Sequence, residues 1–188
     1  HGEMLGDHHM SQKNLFFEGS AHVPLLIMPP QGRSLPQNIS VEAPTDLVDL
    51  YPTILAMAGL SSPVSVSGRN LLEPVPMDRI FFGNSLNRNF CVMEEKVKLV
   101  YSAVGDHVLL FDLNTDPMEQ HNLAEDPAWQ ERKAKLWKLL LEHTAQYTPE
   151  ALDEKGQFLT YEAPHFPGDV PGRWFGFHYH DYSVDTFH

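Results

Sequence analysis

His1, Glu3, Asp7, His8, His9 and Lys13 crowd the first thirteen residues of the chain. Imidazole nitrogens ligate divalent cations, carboxylate oxygens fill the shell of a hard one, and an ammonium pairs with an anion. A segment of this kind can hold a metal and a negatively charged ligand side by side. Composition alone does not separate that reading from a solvated His-rich tail, because short His-rich tracts carry little specificity. Order does more: the segment runs on through Phe17-Glu18-Gly19-Ser20 and His22 into the apolar stretch Val23-Pro-Leu-Leu-Ile-Met28.

The elements that must position these groups follow from patterning. Val23 to Met28, ended by Pro29 and Pro30, reads as a buried strand of a parallel sheet. After a polar, Pro-rich stretch, residues 45–59 read as a core helix with Leu47, Leu50, Ile54, Met57 and Ala58 on its apolar face. It has a kink or restart at Pro52 and a stop at Gly59. Short apolar runs then follow at 79–82, 90–93, 97–101 and 108–113, separated by Gly83, Glu94-Glu95-Lys96 and Gly105-Asp106, which predicts hairpins of an antiparallel sheet. Asp116-Pro117 marks a turn whose loop Glu119 and Asn122 are expected to hold by local hydrogen bonds. Asp126-Pro127 opens a long helix with Trp129, Leu136, Trp137, Leu140 and Leu141 on its apolar face. Arg132, Lys133, Lys135 and Lys138 fall on the solvated side. From Thr148 a Pro/Gly-rich, aromatic tail is expected to wrap the body or a neighbouring subunit. Its His178, His180 and Asp181 are a weak metal motif.

The opening block resembles the second metal-binding motif of the sulfatase family in the alkaline phosphatase superfamily, read Ser-Asp-His/Asn-Gly-Glu, then Leu-Gly-Asp, a Lys, and Phe-Glu-Gly-Ser-x-x-Val-Pro. His1, Gly2, Glu3, Leu5, Gly6, Asp7, Lys13, Phe17, Glu18, Gly19, Ser20, Val23 and Pro24 fit it. Two further stretches are similar to the family: Thr45 to Gly59 with Gly68-Arg-Asn-Leu71, and Leu110 to Ala124, where Phe111 replaces the usual Tyr. The resemblance extends to arylsulfatases, choline sulfatases and phosphonate monoester hydrolases. It implies that His1 ligates a divalent metal, Ca²⁺ first with Mg²⁺ or Mn²⁺ as alternatives, and that Lys13 binds the anionic oxygens of the ester. It also implies a formylglycine nucleophile, made from Cys or Ser in Cys/Ser-x-Pro/Ala-x-Arg, and further Asp ligands. Cys91, Ser34 and Ser62 do not match that motif. His8 and His9 are expected to line a loop or pocket, and His22 stands where the family often has Arg.

On this reading the fold class is α/β: the C-terminal part of an alkaline-phosphatase-like fold, the end of a mainly parallel sheet followed by a smaller α+β subdomain. Residues 1–75 would belong to the catalytic α/β domain, 76–147 to the subdomain with its antiparallel sheet and long helix, and 148–188 to the tail. The chain is expected to be the C-terminal fragment of a sulfuric ester hydrolase acting on a small-molecule sulfate ester, and inactive alone because the nucleophile motif is missing. Its first partner would be the N-terminal half of the site, with a homo-oligomer through the tail left open. A phosphonate monoester hydrolase or phosphodiesterase, and a non-catalytic assembly module, are the alternatives. The net charge of -12 argues against nucleic acid and anionic membranes as partners. One cysteine excludes an intrachain disulfide, and no apolar run reaches membrane-spanning length. Periplasmic, secreted and cytoplasmic locations all remain open.

Overall fold

Residues 81–112 fold as a four-stranded sheet in chain order, β1 Phe81–Ser85, β2 Asn89–Glu94, β3 Val97–Ser102 and β4 His107–Asp112. The computed structural model describes residues 1–9, 13, 16–28 and 40–162. β2, β3 and β4 pair antiparallel, with Val92 opposite Leu99 and Leu99 opposite Leu110. Glu95 and Lys96, at φ 52 and 61, close β2 onto β3 in the two-residue left-handed turn that matches strand twist. Between β3 and β4 the connection is four residues, 103–106, and Gly105 and Asp106 in it also have positive φ, 74 and 53. Gly83 is not a separator but lies inside β1, where a Cβ would sit 2.3 Å from Cε1 of the Phe16 ring.

All six residues of β3 are buried, so this strand is covered on both faces. One face carries Phe90, Val92, Leu99, Tyr101 and Leu110. Onto it packs a helix that Asp126 caps by accepting the Ala128 N–H at 2.8 Å. After one 3-10 turn at Pro127–Trp129 it continues as Gln130–Tyr147, where Leu136, Leu140 and Thr144 are buried. The Tyr101 ring meets Trp137 edge-on at 4.9 Å and Phe158 at 4.7 Å. Phe158 therefore belongs to the core although its segment reads as tail. A bridge from Leu152 to Phe158 folds that segment on itself, and a bridge from Val104 to Tyr161 ties it to the end of β3. His178, His180 and Asp181 lie outside the described residues.

The basic residues of the long helix divide into two groups. Lys138 pairs only loosely with Glu142, at 3.7 Å on the exposed side. Arg132 and Lys135 instead converge on Glu94, at 2.7 and 2.6 Å, clamping the helix to the β2–β3 hairpin. Periodicity predicts the solvated side but not this reach, because long cationic stems lie along apolar surface before their heads find a partner.

The chain divides into two compact units, His1–Val23 with everything from Phe82 onward, and Pro24–Phe81. In the second, a 3-10 turn Leu47–Asp49 leads into a helix Leu50–Met57 without a break. Pro52 falls in its first turn, where a missing N–H costs nothing, so no kink forms. The fully buried Asp49 carboxylate accepts the backbone N–H groups of Asp46 and Arg69, each at 2.8 Å, and Nη2 of Arg79 at 2.9 Å. Gly68 passes so close to Val48 that a Cβ would overlap the Val48 carbonyl. The buried side of this helix is thus Asp49 and Thr53, while Leu47 and Ile54 of the expected apolar face are 71% and 61% exposed. Polar docking of residues 69–71 decides which side turns inward. Val23 to Met28 forms no strand: no described residue pairs with it in a ladder, and Leu26 is 93% exposed. A parallel strand needs neighbours to take its hydrogen bonds.

Truncating Leu140 to Ala in the helix–sheet core is expected to lower unfolding free energy by about 2–5 kcal/mol. Lys138→Ala is expected to change it by about 0.5 kcal/mol or less. Urea unfolding followed by circular dichroism compares the two directly.

Candidate active site

The opening residues are bound to a one-turn helix, α1, at Glu18–Ala21. Gly2 N–H donates to Ser20 O at 2.9 Å and Glu3 N–H to Gly19 O at 3.1 Å. The approach is tight enough that a Cβ on Gly2 would lie 2.2 Å from Gly19 O, which explains glycine at this position. Met4 and Phe17 are buried beneath, Phe17 lying 5.8 Å from the Phe111 ring on the sheet. His8, in the 3-10 turn Asp7–His9, stacks on Phe17 at 4.2 Å. His22 is exposed and pairs with Glu18 at 2.7 Å.

His1 is exposed, its Nδ1 3.1 Å from Gly2 O. Lys13 is half-buried in irregular chain, and residues 10–12 and 14–15 around it lie outside the described residues. No hydrogen bond or ion pair joins His1 to Lys13 among the described residues. Nor do these contain any group of three or more His, Cys, Asp or Glu able to hold a metal. A hard cation takes six or more oxygen ligands. The described residues do not make a metal centre by themselves.

What holds this segment in place is a residue that the sequence reading passes over. Lys98 points from β3 to the face opposite the long helix. Its Nζ donates to Phe16 O at 2.7 Å and lies 2.5 Å from Glu18 Oε1 and 2.8 Å from Glu119 Oε1. Glu119 Oε2 accepts the Glu18 N–H at 2.7 Å, capping α1 from a loop 101 residues away. Glu119 is therefore not the local loop brace expected of it. Asn122 fills that role, its Oδ1 accepting the N–H groups of Leu110 at 2.9 Å and Ala124 at 3.0 Å. A usable signal existed: Val97, Leu99, Val100 and Tyr101 make both faces of β3 apolar, so a Lys between them must find acids indoors.

Charge and burial set the titration of this cluster. Burial pulls the Lys98 ammonium down, but the acidic groups around it, with Glu119 and Glu18 ionised, outweigh that and hold it above its ordinary 10.5. Burial opposes ionisation of Glu18 as well, yet Lys98 and then His22 bring its carboxyl below the usual range. Glu119 goes the other way, because its burial outweighs the same lysine. The difference follows from position: Glu18 is the more open of the two and has His22 as a second partner. Cys91 lies on the same face, fully buried, and burial pushes its thiol up to about 12. It is no nucleophile.

These directions place the pH sensitivity on the alkaline side. The Lys98 contribution is complete below 10.5 and lost as pH rises through its raised folded value. The Cys91 thiol ionises at 9.0 when unfolded and only near 12 when folded, so it too withdraws stability upward from 9.0. On the acid side the loss from Glu18 below 4.5 is opposed by Glu119. The midpoint of thermal unfolding is expected to fall between pH 9 and 12, and Cys91→Ala to show a smaller fall over that interval. Scanning calorimetry across the range checks both.

No family model matches the chain. Arylsulfatase K of Bos taurus is 34% identical over 143 residues, which cover 66% of this chain and 26% of that protein. Choline-sulfatase of Rhizobium meliloti (strain 1021) is 34% identical over 181 residues, 87% of this chain and 34% of that one. Among solved structures, the phosphonate monoester hydrolase of Agrobacterium radiobacter superposes with a TM-score of 0.60 at 30% identity, covering 82% of this chain and 36% of that one. The chain thus spans 26% to 34% of the length of these two curated relatives. A sheet capped by a long helix, an opening motif bound to α1 and these likenesses converge: the chain belongs to the sulfatase family, with its alkaline-phosphatase-like fold, and corresponds to the family's C-terminal portion.

Proposed function

We propose that this chain forms one wall of the active site of an enzyme that hydrolyses sulfate monoesters of small molecules. The observation that carries the reading is the 34% identity to a choline-sulfatase over 87% of the chain. His1 is one ligand of a divalent cation, Ca²⁺ before Mg²⁺ or Mn²⁺, and Lys13 sets its ammonium on the non-bridging oxygens of the ester. A cation so placed stabilises the negative charge that shifts during ester cleavage. Lys13 adds a fixed positive charge to the same oxygens. The remaining ligands and a formylglycine nucleophile come from residues outside this chain. Hydrolysis of a phosphonate monoester is the second reading, favoured by the 30% identity to a phosphonate monoester hydrolase. Both esters present tetrahedral anionic oxygens to Lys13.

Full-length protein containing this chain is expected to turn over an aryl sulfate in preference to an aryl phosphonate, and a strong phosphonate preference would select the second reading. Lys13→Ala is expected to lower kcat/KM by about 100-fold, the usual loss for a donor to the developing anion. Unchanged kcat/KM would remove Lys13 from the site. The 188-residue chain by itself is expected to show no hydrolysis.

A further inference from the structure

We propose that Lys98, clamped between Glu18 and Glu119, is a positioning residue that sets the placement of His1 through α1. The inference rests on the proposed role of His1 as a metal ligand.

α1 is too short to hold its own orientation: it has four residues, and Phe17 at its N-cap makes no side-chain cap bond. The missing contacts come from the sheet side. Lys98 takes Phe16 O at 2.7 Å and Glu119 Oε2 takes Glu18 N–H at 2.7 Å, so the entry to the turn is gripped at two consecutive backbone groups. At its other end Gly19 O and Ser20 O accept the N–H groups of Glu3 and Gly2, which fixes the backbone bearing His1. Apolar burial of Met4 and Phe17 adds adhesion but no direction, because hydrophobic contact is nondirectional. Register and angle therefore come from the polar clamp. Lys98 touches neither metal nor ester and acts only through α1.

The test uses full-length protein with 4-nitrophenyl sulfate and Ca²⁺, comparing Lys98→Met with Leu140→Ala, which weakens the opposite face of the same sheet. Lys98→Met is expected to raise the Ca²⁺ concentration for half-maximal hydrolysis about tenfold, the scale of a lost outer contact to a metal ligand. It is also expected to speed hydrogen exchange in the peptide holding Gly2 and Glu3 while β4 stays protected. Leu140→Ala is expected to lower thermal stability and leave both readings unchanged. Equal shifts in the two variants, or none in Lys98→Met, would overturn the proposal. Should Lys98→Met not fold, Glu119→Gln keeps an acceptor for Glu18 N–H and removes the charge. It is expected to shift both readings the same way, and no shift would overturn the proposal equally. His1→Ala separates the two levels: an unchanged Ca²⁺ requirement there refutes the ligand role itself, whereas a loss there without one in Lys98→Met refutes only the positioning.

Discussion

A lysine inside a sheet must be met by acids, and that requirement organises the unit built on β1 to β4. Lys98 sits on the central strand with its side chain 3% exposed, and Glu119 beside it is 2% exposed. An ammonium desolvated to this extent is costly unless paired and hydrogen-bonded. The pairing is met from two distant parts of the chain, Glu18 before the sheet and Glu119 after it. Each of these acids lies in a stretch that resembles a family motif. Two motifs separated by about a hundred residues thus meet on one cation. The geometry of the opening segment is consequently a property of the sheet and not of the segment alone.

The other unit uses the same device with the charges exchanged. Asp49, completely buried, gathers two backbone N–H groups and the Arg79 guanidinium, and so ties the turn before its helix to residues 69 and 79. Burial works against the charge there too, and the Arg79 hydrogen bonds, with those from Arg69 and Asp46, keep the carboxyl below the usual range. In both units a buried ion takes main-chain partners as well as a counter-ion. Such bonds depend on direction, which apolar packing does not.

The strands β2, β3 and β4, the turns at Glu95-Lys96 and Gly105-Asp106, the Asp126 cap and the buried row of Leu136 and Leu140 were all legible in the sequence. Each is declared locally, by alternation, by turn chemistry or by helical spacing. What was not legible depends on partners far along the chain. The helix at Leu50–Met57 turned a polar side inward because residues 69–71 dock there. Gly83 read as a break and became part of β1, since the reason for glycine is the Phe16 ring and not a turn. Phe158 read as tail and joined the core. In the candidate site, Gly2 was legible as a motif residue, but its physical reason, contact with Gly19 O, was not. Lys98 was missed because a single Lys in an apolar run usually marks a solvent-facing position.

Whether the clamp exists for stability or for placement can be argued from energetics alone. A buried ion pair roughly breaks even against well-packed apolar side chains of similar volume, and exchanging it for them is often stabilising. Stability is therefore a weak reason to put Lys98, Glu18 and Glu119 here when Phe17, Met4 and Phe111 already supply apolar cover. Removing one partner, by contrast, strands a charge, so the three residues specify one arrangement sharply. That asymmetry favours a device for geometry. It acts on α1, whose Gly19 and Ser20 carbonyls accept the N–H groups of Glu3 and Gly2.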